Sequence, residues 1–313
     1  MRHPLLKSVA ACALTVFLVY AEAQTSRDLI DDFRRASMQG KTSIVLGIDN
    51  DSLLLNRNDG FYTSGVRIGQ RHALRDTGRL MVFGWRIGQE LYTASDIKLP
   101  PESIGPLDRP YAGWLYGGIF KETHRTDGAY RKFGLDIGCL GPCAGGYWMQ
   151  TNLHRLLRQP QPQGWSTQLS NEFGAVLYGD MAPLRWNPVP LVDVTPNLHG
   201  RFGNIFTDVG AGITLRAGRL NLLPDEPTLH GFVRLDGSLV GYNATLQGGY
   251  FSGRNPRTVS PKRFVGEAEA GVAWIGGSYG VHVSIIRRGN EIRGFHDAAG
   301  TQNFVRLLFS YTP

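Results

Sequence analysis

Apolar and polar residues alternate with a period of two along most of the chain. In one clear case, Tyr279, Val281, Val283 and Ile285 are separated by small or polar residues. Such alternation is typical of strands that have one apolar face. The pattern predicts an all-β protein of about twelve strands, near residues 43–50, 60–72, 79–91, 111–124, 129–139, 165–179, 187–203, 206–217, 228–241, 262–275, 278–290 and 302–312.

One stretch, "GYWMQTNLHRLLRQ" (residues 146–159), has helical spacing instead of strand spacing. Four of its apolar residues share one face of the predicted helix: Met149, Leu153, Leu156 and Leu157. His154 falls on the opposite side of the helix. A histidine in that place is either a solvated surface residue or a functional group, and the pattern leaves both interpretations open.

Two architectures fit strands with one apolar face. One is a soluble sandwich, and the other is a transmembrane antiparallel barrel with apolar residues outside and charged residues in the lumen. The even strand number and a last strand ending in Phe309 and Tyr311 favour the barrel. In a barrel, the longest connections would all lie at the outer end, as is typical of outer-membrane barrels. These connections lie near residues 92–110, 139–165 (which holds the short helix) and 241–262.

The N-terminus carries the features of an export signal. Arg2 and Lys7 precede an apolar run (residues 9–20), and the small-residue motif "AEAQ" follows it. This pattern predicts a signal peptide over residues 1–23 and a barrel domain over residues 24–313. An uncleaved anchor is the alternative, but the apolar run is short for a bilayer-spanning helix.

Composition and charge agree with an exported β-protein. The chain has 40 glycines and 19% charged residues, which suits strands joined by many turns. Loss of the signal peptide removes two positive side chains and one negative side chain, so the net charge falls from +7 to +6. A basic exported protein favours anionic surfaces such as a phosphorylated glycolipid.

Two cysteines remain after the predicted cleavage, Cys139 and Cys143, in "CLGPCAGG". In an oxidising compartment this close spacing predicts a small disulfide loop. A metal site is the alternative, but it would require more cysteine or histidine nearby than this stretch supplies.

In the barrel topology, four features of the sequence gather at the outer rim. Asn50 and Asp51 form an acid–amide turn after the first strand, and Thr63 lies at the start of the second. The block "GPLDRPYAGW" leads into the fourth strand, and His154 lies on the helix of the third outer connection. The alternation places Thr63 on the polar face of its strand, together with Gly65 and Arg67.

These blocks resemble the outer-membrane lipid A 3′-O-deacylase family, the LpxR-like proteins. The resemblance rests on "NDSLLL…NDGFYTSGVRIG", "LDRPYAGWLYGGI", "GPCAGGYWMQTNLHRLL" and "QGWSTQLSNE", which follow one another in order, and it extends to the last strand. It implies a twelve-stranded barrel in the outer membrane of a Gram-negative bacterium. It also implies calcium-dependent hydrolysis of the 3′-linked acyloxyacyl ester of lipid A. The implied partners are lipopolysaccharide and the outer membrane, with no nucleic acid and no obligate protein partner.

The residues that the family uses can be located individually. Its Asn-Asp pair, its turn-side threonine and its helical histidine fall on Asn50, Asp51, Thr63 and His154. One position departs from the pattern: some members carry a carboxylate six residues after the histidine, where this chain has Pro160. The next acidic residue is Glu172, in the following strand.

Simple chemistry agrees with these implied roles. Ester hydrolysis requires a base that activates water and a positive centre that stabilises the oxyanion. Histidine titrates near neutrality, which makes His154 the natural base. The oxygen atoms of Asn50 and Asp51 suit Ca²⁺, which polarises a carbonyl as a Lewis acid. Thr63 either orients the base or water or, as the alternative, acts as a covalent nucleophile.

Arg109 in the "LDRPYAGW" block is a candidate for binding a phosphate of lipid A, and a structural rim pair with Asp108 is the alternative. Two other functions remain open at this point. An outer-membrane phospholipase would use a serine nucleophile beside histidine and asparagine, and no serine of this chain has that context. A catalytically inert, porin-like barrel would explain the polar inner faces but not the cluster at the rim.

Overall fold

A computed structural model describes residues 26–54 and 60–313. The predicted signal peptide therefore lies outside the described residues. The described helices are α1 (Ser26–Gln39), α2 (Gly146–Leu156) and the single turns α3 (Ala244–Gln247) and α4 (Asp297–Gly300). None of these helices has the length and apolar character needed to cross a bilayer.

The rest of the described chain is dominated by antiparallel strands. They are β1 (Lys41–Asn50), β2 (Phe61–Asp76), β3 (Arg79–Thr93), β4 (Ala112–Arg125), β5 (Tyr130–Leu140), β6 (Glu172–Ala182), β7 (Trp186–Val189), β8 (Val192–Gly203), β9 (Phe206–Arg219), β10 (Thr228–Asn243), β11 (Phe264–Gly276), β12 (Tyr279–Arg288) and β13 (Gln302–Tyr311).

The sheet closes into a barrel. Each strand pairs with its sequence neighbour, the first pairs with the last (β1 with β13), and β6 pairs directly with β8. The short strand β7 pairs only with β8, so twelve strands form the wall. The predicted all-β barrel of about twelve strands, with a short helix in a connection, is confirmed. Closure excludes the sandwich, because a sandwich keeps two separate sheets.

Two predicted strands differ from the structure, and one helix was not predicted. The sixth strand begins at Glu172 and not near residue 165, because the chain first forms a 3₁₀ turn (Gly164–Thr167) that buries Trp165. The predicted strand at 187–203 is split into β7 and β8 by a reversal in which Leu191 has a positive φ of 67°. Helix α1 was not predicted, although Leu29, Phe33 and Ala36 recur in it at helical spacing.

The two faces of the wall have opposite chemistry. On β1, Ile44 and Leu46 are exposed on the outside. Asp49, on the other face, is fully buried and lies 3.1 Å from Arg67 and 2.9 Å from Arg306. Apolar residues outside and ion pairs inside are what a membrane barrel requires.

The lumen is largely filled. Further ion pairs cross it between strands: Arg71–Glu122, Arg86–Asp136, Arg201–Asp208, Arg216–Asp193 and Arg288–Glu267. A cavity of about 420 Å³ remains among these groups. At the inner end, Leu223 in the β9–β10 connection packs against Leu80 and Val82 of β3. The barrel interior is therefore a packed polar core that is covered at its inner mouth.

Candidate active site

A β-bulge sets the direction of Thr63. The pairing of β2 with β3 shifts between Tyr62 and Ser64, so Thr63 is the extra residue. Its Oγ1 lies 2.7 Å from the Oγ1 of Thr93 at the end of β3. Thr93 continues the face of β3 that carries Ile87, which is half exposed on the outside of the barrel. Thr63 therefore faces outward with Thr93.

This bulge overturns one prediction. The alternation placed Thr63 on the face of Arg67 and placed Tyr62 on the opposite face. In the structure, the Tyr62 hydroxyl donates to Asp49 Oδ2 at 3.0 Å inside the barrel, and Arg67 binds the same carboxylate. The prediction for Thr63 was wrong because an inserted residue reverses the alternation, a frequent device next to active sites.

Asn50 and Asp51 form a tight turn at the outer end of β1. Asn50 Oδ1 accepts hydrogen bonds from the backbone N–H of Ser52 at 2.8 Å and from the Ser52 hydroxyl. Asp51 is 4% exposed, and its Oδ2 accepts the backbone N–H of Gly60 at 3.0 Å. Side-chain oxygens that bond to nearby backbone are how short polar residues stabilise turns.

The turn lies against the outer end of β3. A Cβ on Gly60 would lie 2.6 Å from the carbonyl oxygen of Ser95, so the two backbones are in close contact. Ser95 is held in turn by Asp108, which accepts its backbone N–H at 2.9 Å and its hydroxyl at 2.7 Å. The "DRPYAGW" block thus supports the surface on which Asp51 and Thr93 lie.

Arg109 is fully buried and has partners inside the rim. Its Nη1 lies 2.6 Å from the Glu291 carboxylate, its Nη2 donates to Thr245 Oγ1 at 2.9 Å, and its guanidinium lies 4.5 Å from the Tyr92 ring. Burial raises the pKa of Glu291, but Arg109 and Arg288 outweigh that effect and bring this pKa down to about 2. Phosphate binding by Arg109 stays a prediction. The contacts favour the structural alternative, with Glu291 as partner rather than Asp108.

The segment before α2 is fixed to the outside of the wall. Cys139 of β5 and Cys143 are joined by a disulfide, with their Cα atoms 6.0 Å apart. Gln89 donates its side-chain N–H to the carbonyl oxygen of Ala144 at 2.6 Å. A Cβ on Gly113 would lie 3.0 Å from the Ala144 side chain, tighter than an ordinary van der Waals contact, so glycine favours this close approach.

Helix α2 turns its polar side inward. Gln150 is buried, and its Oε1 accepts the indole N–H of Trp165 at 2.7 Å. One turn later, His154 is 4% exposed, which excludes the solvated surface histidine. The indole of Trp165 in turn packs against Tyr111, with ring centroids 5.2 Å apart. The helix is therefore held by its polar face, with His154 directed toward the protein.

The His154 ring has a defined tautomer. Its Nδ1 lies 2.6 Å from the carbonyl oxygen of Pro160. A carbonyl oxygen only accepts hydrogen bonds, so Nδ1 carries the proton and the basic lone pair is on Nε2. Pro160 occupies the position where some relatives carry a carboxylate, and it offers a backbone acceptor in its place. Glu172, the next acidic residue, binds a different segment: its carboxylate accepts hydrogen bonds from the backbone N–H groups of Phe251 and Ser252.

The Asn50–Asp51 turn offers few side-chain ligands for a metal ion. Within residues 26–54 and 60–313, no group of three or more His, Cys, Asp or Glu is arranged to hold a metal ion. The turn itself offers two oxygen donors, the Asp51 carboxylate and the Asn50 amide. Oxygen donors with one carboxylate fit Ca²⁺ in kind, and water completes many calcium sites.

The structure pairs Thr63 with Thr93 on the outer side of the wall. It places the Asn50–Asp51 turn beside the outer end of β3 through Gly60 and Ser95, and Asp108 of the "DRPYAGW" block supports Ser95. Three residues of this region were not predicted: Thr93, Gln150 and Trp165. Register alone could have indicated Thr93, because the end of β3 must lie opposite the start of β2. Trp165 lies in the "QGWSTQLSNE" block, but nothing in the sequence indicates that its indole fixes the helix.

The fold and this rim site define a closed membrane barrel that carries a pair of threonines on the outer side of its wall and a helix with a buried histidine in an outer connection. The chain belongs to the family described as outer membrane protein LpxR, whose model matches residues 9–312. The protein is accordingly an outer-membrane protein of Gram-negative bacteria, as predicted.

Solved structures agree on the fold. The chain is similar to LpxR from Salmonella typhimurium, with a TM-score of 0.71, 21% identity, and coverage of 87% of this chain and 100% of that chain. It also matches the beta domain of the Bordetella autotransporter BrkA, with a TM-score of 0.49, 12% identity, and coverage of 87% of this chain and 98% of that one. The similarity to the autotransporter domain is low, and nothing about the function follows from it. No protein with a curated description matches the chain.

Proposed function

We propose that this protein is a lipid A deacylase that hydrolyses the 3′-linked acyloxyacyl ester of lipopolysaccharide at the outer leaflet. The observation that carries the proposal is the buried His154, whose Nδ1 is fixed by the Pro160 carbonyl at 2.6 Å. A histidine held in one tautomer on the lipid-facing side of a barrel has the arrangement of a general base. The family membership supplies the substrate class.

The proposed reaction is a direct attack by water. Nε2 of His154 takes a proton from water while the water oxygen bonds to the ester carbonyl carbon. The tetrahedral intermediate then breaks its bond to the sugar oxygen, which receives the proton from His154 and leaves as the 3′-hydroxyl. The other product is the free acyloxyacyl acid. Thr63 and Thr93, paired by hydroxyl groups, orient water or substrate beside this base.

The positive centre for the oxyanion is proposed to be Ca²⁺. When bound, this ion would supply Lewis-acid stabilisation of the developing negative charge. Asp51 and Asn50 would hold it, because their oxygens lie at the end of β1 on the turn that packs against β3. The turn itself is fixed by Gly60 and Ser52.

The position of the cluster favours a lipid substrate over a porin-like role. Thr63 and Thr93 face outward, toward the lipid side of the wall. The lumen holds ion pairs, and Leu223 covers its inner mouth. A phospholipase would act on the same side of the wall, but the region contains no serine in a nucleophile arrangement among the described residues.

Mass spectrometry of lipid A from cells that express this chain tests the proposal. Loss of the 3′-linked acyloxyacyl group is expected. Accumulation of lysophospholipid with intact lipid A would instead indicate the phospholipase, and no change in either lipid would indicate an inert barrel.

A further inference from the structure

Helix α2 presents an apolar face away from the protein. Trp148 is 66% exposed and Leu156 is 78% exposed, and Met149 and Leu153 lie between them on the same side. This group of four residues is called the α2 outer face. An ordinary surface helix has the opposite arrangement, with polar residues toward water. Exposed apolar patches on this scale mark a surface that contacts another molecule or a membrane.

The polar residues beside this face are satisfied within the helix. Asn152 donates its side-chain N–H to the Trp148 carbonyl oxygen at 2.8 Å. Its side-chain oxygen accepts from the Arg155 guanidinium at 3.2 Å. Arg155 thereby covers the amide and keeps its charge at the flank of the helix, as long basic side chains do at membrane interfaces. Such pairing reduces the cost of placing Asn152 in an apolar environment.

The α2 outer face continues the lipid-facing surface of the barrel. The first residue of the helix, Gly146, lies against Gly113 of β4. Leu115, two residues further along β4, is exposed on the outside. Two residues of a strand span roughly 7 Å. On the neighbouring strand, Ile137 is also exposed outside. The disulfide between Cys139 and Cys143 holds the start of the helix against this surface. The helix thus lies at the upper edge of the apolar band.

We propose that the α2 outer face is immersed in the outer leaflet, at the boundary between headgroups and acyl chains. Continuity with the lipid-facing strands selects lipid as the occupant. Because His154 lies on the opposite side of the same helix, this contact sets the active site at the depth of the ester bonds. A lipid substrate then enters laterally from the leaflet, a consequence that rests on the proposed function.

Fluorescence quenching by brominated phospholipids tests the contact without any activity measurement. The chain has six tryptophans, so the Trp148 signal is taken as the difference between wild type and Trp148→Phe in vesicles. Trp85, which faces outward on β3 and is 40% exposed, provides the lipid-contacting control through Trp85→Phe. Strong quenching of Trp148 by bromine near the headgroup end of the chains is expected. Quenching by aqueous iodide but by none of the brominated lipids, with Trp85 quenched by lipid, would overturn the proposal.

A second measurement tests the consequence for the substrate. Leu156→Ser should lower deacylation of lipid A embedded in vesicles by roughly tenfold, since burial of one leucine is worth about that factor or more. Deacylation of detergent-dispersed lipid A should change by less than about twofold. Leu222→Ser, in the inner connection and 54% exposed, is the matched control and should change neither rate. Equal loss in both assays would contradict lateral entry, whereas an inactive wild type would reject the proposed function and leave the quenching result standing.

Discussion

Nδ1 of His154 donates to the backbone carbonyl of Pro160 at 2.6 Å, and six positions separate the two residues. Some relatives carry a carboxylate where this chain has the proline. The backbone oxygen performs the orienting part of that task, because it fixes the tautomer that leaves Nε2 basic. It lacks the negative charge that would stabilise an imidazolium.

Pro160→Asp should therefore raise the deacylation rate if its carboxylate reaches Nδ1, because a charge-assisted hydrogen bond is stronger than a neutral one. Pro160→Ala is the control, since it keeps the carbonyl and should retain activity within about threefold. Initial rates of the purified variants on lipid A provide the comparison. A large loss in Pro160→Ala would show that the ring of the proline, and not its carbonyl, supports His154.

Asp51→Ala should abolish most activity, because it removes both an oxygen donor and a negative charge from the proposed Ca²⁺ site. In wild type, excess chelator should stop deacylation and added Ca²⁺ should restore it. The variant should require more Ca²⁺ than wild type for its residual activity. Full activity of wild type in chelator would remove Ca²⁺ from the mechanism.

Thr63→Ala should reduce activity less than replacement of His154, because the hydroxyl is expected to orient and not to attack. Thr93→Ala should have a similar effect, since the two hydroxyls are 2.7 Å apart and position one another. Thr63→Ser keeps the hydroxyl and should restore most of the rate. A loss in Thr63→Ala as severe as in the histidine variant, with an acyl group trapped on wild-type Thr63, would instead identify a nucleophile.

Arg109→Gln should destabilise the barrel by about 3–5 kcal/mol, because it leaves the Glu291 carboxylate buried without its main cation. Thermal unfolding in detergent measures this effect, and Arg254→Gln, exposed in the connection before β11, is the control. A higher KM for lipid A with unchanged thermal stability would instead support phosphate binding by Arg109.

The same ion pair predicts a dependence on pH. The pKa of Glu291 falls from its usual 4.5 to about 2 in the folded protein. The group therefore contributes its full stability above about 4.5 and loses it progressively as the pH falls through about 2. Glu291→Gln should flatten the decrease of the melting temperature across this acidic range.

The sequence predicts the barrel well, because strand alternation reports directly which residues face lipid. Ile44 and Leu46 alternate with residues of the lumen as expected. It does not predict the direction of Thr63, since one bulged residue reverses the alternation and nothing local marks it. It also identifies His154 but not its burial, because the contacts that hold α2 in place, such as the bond between Trp165 and Gln150, form only in the folded protein.

His154 is proposed to be the base for lipid A deacylation. The most direct test compares wild type with His154→Asn on purified lipid A, with the released acyloxyacyl acid measured by mass spectrometry. Both proteins should show the same thermal stability, and the rate for His154→Asn should be at least ~100-fold lower, the low end for losing a general base. Undiminished release by a correctly folded His154→Asn barrel would show that His154 is not the base.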